Sequence, residues 1–298
     1  MDLPEGLISR PLLATDLDDL VAVANAYDVA MIGEPDLEKA DVEGFWNMAS
    51  FDLERDSRGV FSGSSLVGYS QVFMGKYIEV CVLPDRFGLG IGSALGAWAE
   101  SRLKNAGVAK AFQSAPTTDK DALRIFAERG YELAWTSWVL SLPAEAAIPR
   151  RPLEDGYEVR QFIPGIEDEA AYEVVQVAFG EWPERERTPY EDWRAVVFDR
   201  EGFGPEKLLV ATFHGEIVGV CYVIDGERAG WVQNVAVYKE HRNHGLAQEL
   251  LATAFEGTRS RGLERAELAT DSRTGALGLY QKLGMHVTQS YEDWSLAL

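Results

Sequence analysis

The residues with most chemical promise lie in one stretch, Val235-Ala-Val-Tyr-Lys-Glu-His-Arg-Asn-His-Gly-Leu-Ala-Gln248. A strand-like apolar run ends there and a helical period begins a few residues later. The first turn of a helix carries backbone N–H groups without internal partners and the positive end of the helix dipole. Gly245 and Ala247 keep side chains clear of those donors, and Arg242 adds a full positive charge. Arg242, Asn243, His244, Gly245, Leu246 and Ala247 are therefore candidates to grip a pyrophosphate. A plainer role for Gly245, easing a tight turn, fits the same spacing. His241 and His244 stand three apart, but neither a nearby cysteine nor a third histidine completes a ligand set, so no metal is predicted. Cys81 and Cys221 lie in apolar runs without a basic neighbour to activate a thiol; both are read as reduced core residues.

Charge narrows the partners. The 298 residues include 48 acidic and 28 basic side chains, a formal net charge of −20. Such a surface repels nucleic acid and anionic membranes, so neither is expected as a partner. It weakly favours a cationic substrate such as an amine, and it obliges any anionic cofactor to find local donors. The apolar fraction, 46%, supports packed cores in two ordinary domains. No apolar run is long enough to span a bilayer, and the start shows no leader pattern, so a cytoplasmic protein is expected. The oligomeric state is left open.

The elements that must position the turn occur twice. A shift of 155 residues lays Val80 on Val235, Val82 on Val237, Gly90 on Gly245, Leu95 on Leu250, Ala99 on Ala254 and Gly107 on Gly262. A shift of 154 matches Ala122-Leu123 with Ala276-Leu277 and Gly130 with Gly284, and a shift of 156 matches Trp138–Leu142 with Trp294–Leu298. Apolar falls on apolar and glycine on glycine, in order, which marks an internal repeat. Each copy reads as strand, two helical regions, hairpin, central strand, Gly-containing turn, amphipathic helix, strand, short helix and final strand. Three prolines in the stretch from 143 to 155 mark a linker. The reading is an N-terminal domain over 1–142, a linker over 143–156 and a C-terminal domain over 157–298.

At this point the chain resembles a family. Arg242-x-x-Gly245-x-Ala247 looks like the acetyl-CoA signature of the GNAT N-acetyltransferases. Ala276-Leu-Gly-Leu-Tyr280-Gln-Lys-Leu-Gly284-Met285 is similar to a second segment of that family. The resemblance implies an α/β fold, a mixed sheet flanked by helices, present here as a tandem duplication. It implies acetyl-CoA as co-substrate, lying where the central strand splays from its neighbour, with Val235, Ala236 and Val237 along the pantetheine arm. Tandem units of this kind resemble mycothiol synthase and related actinobacterial proteins. There a Glu on the central strand is assigned as base; the aligned position here is Trp231, so the specific substrate is not carried across.

Acyl transfer to an amine needs a base, a polarised carbonyl and an acid for the leaving thiolate. By resemblance Tyr280 is the acid, and a phenol holds its proton at neutral pH. A backbone N–H near Val235 is placed to bind the carbonyl oxygen. The base stays open between Glu181, Glu184, Asp271 and a water chain past Gln233. In the first copy, Val82, Gly88, Gly90 and Gly92 keep a cradle that offers a second, looser cofactor site. There Phe87 replaces Arg242 and Phe126 replaces Tyr280, so that domain is expected to be non-catalytic. The expected function is acetylation of a small-molecule amine by direct attack, in the C-terminal domain. The alternatives are a silent acyl-CoA sensor, or an enzyme acting on a peptide or protein amine.

Overall fold

Period-2 runs and helix-period runs alternate along the chain, and each folds as its period dictates. The computed structural model describes residues 3–150, 152–182 and 185–298. In chain order the first copy gives β1 (Leu7–Arg10), α1 (Leu17–Ile32), α2 (Lys39–Trp46), α3 (Leu53–Asp56), β2 (Ser57–Ser62), β3 (Ser65–Phe73), β4 (Tyr77–Val82), α4 (Ile91–Asn105), β5 (Lys110–Pro116), α5 (Lys120–Glu128) and β6 (Glu132–Pro143). The second gives β7 (Tyr157–Gln161), α6 (Asp168–Phe179), α7 (Tyr190–Val197), β8 (Leu208–Phe213), β9 (Glu216–Asp225), β10 (Ala229–Val237), α8 (Leu246–Ser260), β11 (Arg265–Asp271), α9 (Leu277–Lys282) and β12 (His286–Ala297). Among the described residues no helix is long and apolar enough to cross a membrane.

The chain forms two compact units. Unit 1 holds residues 1–136 and 290–298; unit 2 holds residues 137–289. In unit 1, β1 to β4 pair in antiparallel succession, β4 pairs with β5 in parallel, and β12 closes antiparallel on β5. In unit 2, β7 to β10 are antiparallel, β10 and β11 are parallel, and β6 closes antiparallel on β11. Helices cover both faces. In unit 2, Leu246, Leu250, Leu251 and Phe255 of α8 bury against Val218, Cys221 and Val237, while Ala171, Val174 and Val175 of α6 bury against Val210, Val220 and Tyr222 on the other face. Each buried aliphatic side chain of this size stabilises by about 1.5–3 kcal/mol.

The sequence reading needs one correction here: the last strand of each copy closes the other copy's sheet. Trp138 to Leu142, assigned to the first domain, pairs with Thr270 to Ala266 of unit 2. Trp294 to Ala297, assigned to the second, pairs with Gln113 to Lys110 of unit 1. The physical reason is that both strands carry the same alternation, Trp-x-Leu-x-Leu, which fixes the buried face but not the partner. The stretch after β6 is likewise no free linker. Ala146, Ile148 and Leu153 pack on the core of unit 2, Arg259 donates to the Ala146 carbonyl (2.6 Å), and Arg150 pairs with Glu256 (2.7 Å).

The exchange has a measurable consequence. In a chain ending at Gln289, β5 loses its closing strand. Amide hydrogen exchange is expected to speed up across β5 while β8 to β10 and α8 stay protected. Loss of protection on β11 instead would refute the exchange.

Candidate active site

Strand β10 is built to part from its neighbour. It pairs with β11 from Ala229 to Val232 only. At that point its register with β9 slips: Val232 faces Val223 and Asn234 faces Tyr222, leaving Gln233 as a bulge. A bulge bends the strand and raises its twist. From Gln233 to Val237 the strand continues with β9 on one side and diverges from β11 on the other. Trp231, where a carboxylate base was sought, donates its indole N–H to Gln233 Oε1 at 3.0 Å.

The turn after β10 carries its donors at the mouth of that opening. A short 3-10 turn, Lys239–His241, leads to Arg242 in an extended conformation, then Asn243 at φ 69°, then Gly245 at φ 83°. Gly245 caps α8 in the left-handed region, where a side chain is strained. A Cβ added there would meet nothing within 4 Å, so the glycine opens onto free space. No side chain caps the helix, and its first internal bond runs from Glu249 N to Gly245 O, 3.0 Å. The preceding N–H groups of the first turn, from Leu246 to Gln248, are free of i−4 partners by geometry and suit a phosphate. Leu246, buried against the core, fixes the axis along which they point.

The histidines and the arginine are engaged elsewhere. His241 Nδ1 meets Tyr157 Oη at 3.0 Å, and His244 Nδ1 meets Glu154 Oε2 at 2.9 Å. Arg242 donates through Nε to Val237 O (3.0 Å) and through both terminal nitrogens to Glu181 (2.9 Å each). An incoming phosphate has to compete with that carboxylate for the guanidinium. Both Glu181 oxygens thus sit on one cation. Asp271 is similar: it accepts from Arg273 N, Nε and Nη2 at 2.8, 3.1 and 2.6 Å. Glu184 lies outside the described residues.

Tyr280 sits on α9, a six-residue helix too short to hold itself. Its start is set by Thr274, whose hydroxyl accepts from Ala276 N (3.0 Å), meets the Thr270 hydroxyl (2.9 Å) and lies 2.9 Å from Asp271 O. Its end is held by Leu283 and Met285 in the core. The sequence reading missed Thr274 and Arg273; a Thr three residues before a helix start was the available signal. Tyr280 packs in the same cluster as Cys221, which stands opposite Val235 in the β9–β10 pair. Burial, with the Cys221 thiol nearby, pushes the phenol up to about 12. Burial pushes Cys221 up to about 12 and also raises Cys81 well above its ordinary value, so both thiols stay protonated and inert.

Residues 169–285 match the acetyltransferase (GNAT) family. A mycothiol acetyltransferase from Salinispora arenicola is 30% identical over 241 residues, covering 77% of this chain and 76% of that protein. The chain belongs to the GNAT family. A GCN5-related N-acetyltransferase from Sphaerobacter thermophilus has a similar structure, with a TM-score of 0.80, 28% identity, and 99% and 97% of the two chains covered. A tandem GNAT protein from the clavulanic acid biosynthesis pathway matches in fold, with a TM-score of 0.74 at 17% identity over 98% of each chain. The architecture is thus a tandem duplication of the GNAT fold.

The first GNAT copy repeats the turn almost angle for angle. Phe87 is extended like Arg242, Gly88 (φ 75°) stands for Asn243, and Gly90 (φ 81°) caps α4 as Gly245 caps α8. The chemistry around it differs. Phe126, in the place of Tyr280, packs on Tyr131 and Trp294. β4 has no bulge against β3. Glu79 of β4 accepts from Tyr69 Oη (3.0 Å) and Gln71 Nε2 (2.9 Å). Burial, reinforced by the charges of Asp36 and Glu79, lifts the Asp28 carboxyl from 3.8 to about 7.

Three outcomes follow from these contacts. Arg242→Ala is expected to weaken acetyl-CoA binding by about tenfold, the loss of one charge-assisted contact. Glu181→Gln should act in the opposite direction, tightening binding a few-fold at low salt, less so at high salt. Calorimetry decides; equal weakening by both would make the pair a structural brace. Asp28, whose folded pKa is raised, contributes stability below about pH 4 that is lost as pH rises through about 7. Asp28→Asn is therefore expected to melt about 2–6 °C above the parent at pH 8, with the gap closing by pH 4. A gap independent of pH in scanning calorimetry would contradict this origin.

Proposed function

We propose that the chain is an acetyl-CoA-dependent N-acetyltransferase acting on a primary amine of a small molecule, with its chemistry in unit 2. The observation that carries this reading is the phenol of Tyr280, held protonated in the core cluster of Cys221, which stands opposite Val235 on the bulged central strand. Val235, Ala236 and Val237 offer the edge for the pantetheine arm, and the turn from Arg242 to Ala247 offers donors for the pyrophosphate. The name of the relatives, mycothiol acetyltransferase, supports a small-molecule acceptor. Trp231 in place of a carboxylate argues against carrying over their acceptor itself. A cytoplasmic setting fits an acetyl-CoA-dependent reaction.

In the proposed step the amine nitrogen attacks the thioester carbonyl. The C–N bond forms, the C–S bond breaks, and the thiolate takes the Tyr280 proton, which solvent later restores. A backbone N–H near Val235 stabilises the carbonyl oxygen as charge builds on it. The amine proton leaves through water past Gln233, with Asp271 committed to Arg273. That commitment also favours the second reading, a silent acyl-CoA-binding protein.

A thiol-release screen across amines separates the two. Turnover is expected, and Tyr280→Phe should lower kcat by about 100-fold with KM for acetyl-CoA little changed. Because the phenol loses its proton only near about 12, no fall in rate from this group is expected below about pH 11. Tight binding without turnover on any amine selects the silent reading.

A further inference from the structure

In unit 1 the opening beside the central strand is crossed by one side chain. β4 and β5 pair only through Tyr77–Phe112 and Ile78–Gln113, then diverge. Tyr27 of α1 reaches both banks. Its ring meets Phe87, in the turn after β4, edge-on with centroids 6.3 Å apart. Its hydroxyl donates to Asp119 Oδ2 at 2.8 Å. Asp119 follows β5 and caps α5 by accepting from Ala122 N at 2.9 Å. One turn further along α1, Met31 O accepts from Thr118 Oγ1 at 2.8 Å, a second tie between α1 and the same bank. Burial and the Asp119 charge hold the phenol firmly protonated, so it remains a donor to that carboxylate.

Among the described residues, unit 2 lacks this bridge. The buried positions Leu20, Val23 and Ala24 of α1 correspond to Ala171, Val174 and Val175 of α6. The same offset places Ala178 where unit 1 has Tyr27. A methyl group reaches neither bank. The tie from beyond α6 to the turn after β10 is instead the Glu181–Arg242 ion pair, whose side chains are 36% and 38% exposed. A phosphate can displace such a surface pair far more readily than an arm can displace a packed phenol.

We propose that Tyr27 keeps the acyl-pantetheine arm out of unit 1, so that each chain takes up one acyl-CoA, in unit 2. The proposal rests on the reading that acyl-CoA enters where the central strand parts from its parallel neighbour. Selection between the copies then falls mainly on the arm, since the turn over Val82, Gly88, Gly90 and Gly92 keeps its backbone although Phe87 replaces Arg242. Tyr27 becomes the residue that decides how many cofactors the tandem fold holds.

Calorimetry with acetyl-CoA tests it on the full chain. The parent should bind one equivalent, and Tyr27→Ala should bind two while turnover per chain stays the same, because Tyr280 has no counterpart in unit 1. Two equivalents in the parent, or one in a Tyr27→Ala protein that keeps its hydrogen-exchange protection in α1, overturns the proposal. Should Tyr27→Ala not fold, Ala178→Tyr gives the converse test in unit 2. It should weaken acetyl-CoA at least tenfold with the melting profile preserved, and an unchanged affinity overturns the proposal. Absence of binding by the folded parent would defeat the functional reading rather than this one.

Discussion

A parallel strand pair that stops pairing part-way leaves a row of backbone donors and acceptors on one edge, and a buried edge must be satisfied by something. Both units are organised around that constraint. β10 leaves β11 after Val232, and β4 leaves β5 after Ile78. The bulge at Gln233 helps steer β10 away, and an uncapped helix begins at the mouth of each gap. Given the divergence, the turn with its left-handed Gly245 is the natural way to bring a helix N-terminus to the strand's end. A peptide-like arm with a pyrophosphate at its far end matches such a gap in both shape and polarity.

The two units answer the constraint differently. Unit 1 lays Tyr27 across its gap, while on β4 Glu79 is held by Tyr69 and Gln71 of β3. The acids gathered there cost stability above neutral pH, as the raised Asp28 carboxyl records. In unit 2, Glu181, Glu267 and Asp271 each sit on an arginine, Arg242, Arg265 and Arg273. Each of these carboxylates is thus balanced by a cation, in a chain whose overall charge is −20.

Much of this was legible in the residues. The repeat, the strand-turn-helix around Gly245 and the placement of Tyr280 on a short helix all depend on local period and local turn chemistry, which a sequence displays. What was not legible depends on partner choice. The exchange of β6 and β12 joins strands of one pattern to different sheets, and alternation is blind to that. The pairing of Arg242 with Glu181 joins residues 61 apart in sequence. Tyr27 in an apolar helix looks like any core aromatic until Asp119 and Phe87 are seen on either side of it.

The exchange also bears on why the first copy persists without an acid. Tyr280 is held through Leu283 and Met285, and the chain then runs from Met285 directly into β12, whose later part closes unit 1. β6 makes the reverse journey, leaving unit 1 at Thr136 and closing β11, the strand that carries Asp271 and the anchor of Thr274. Each copy therefore supplies the strand that completes the other's parallel pair. Removing β6 with the first copy would strip β11 of its antiparallel partner, next to the segment from which α9 is hung. The first copy, with Phe126 in the place of Tyr280, thus still supplies β6, the strand that closes β11.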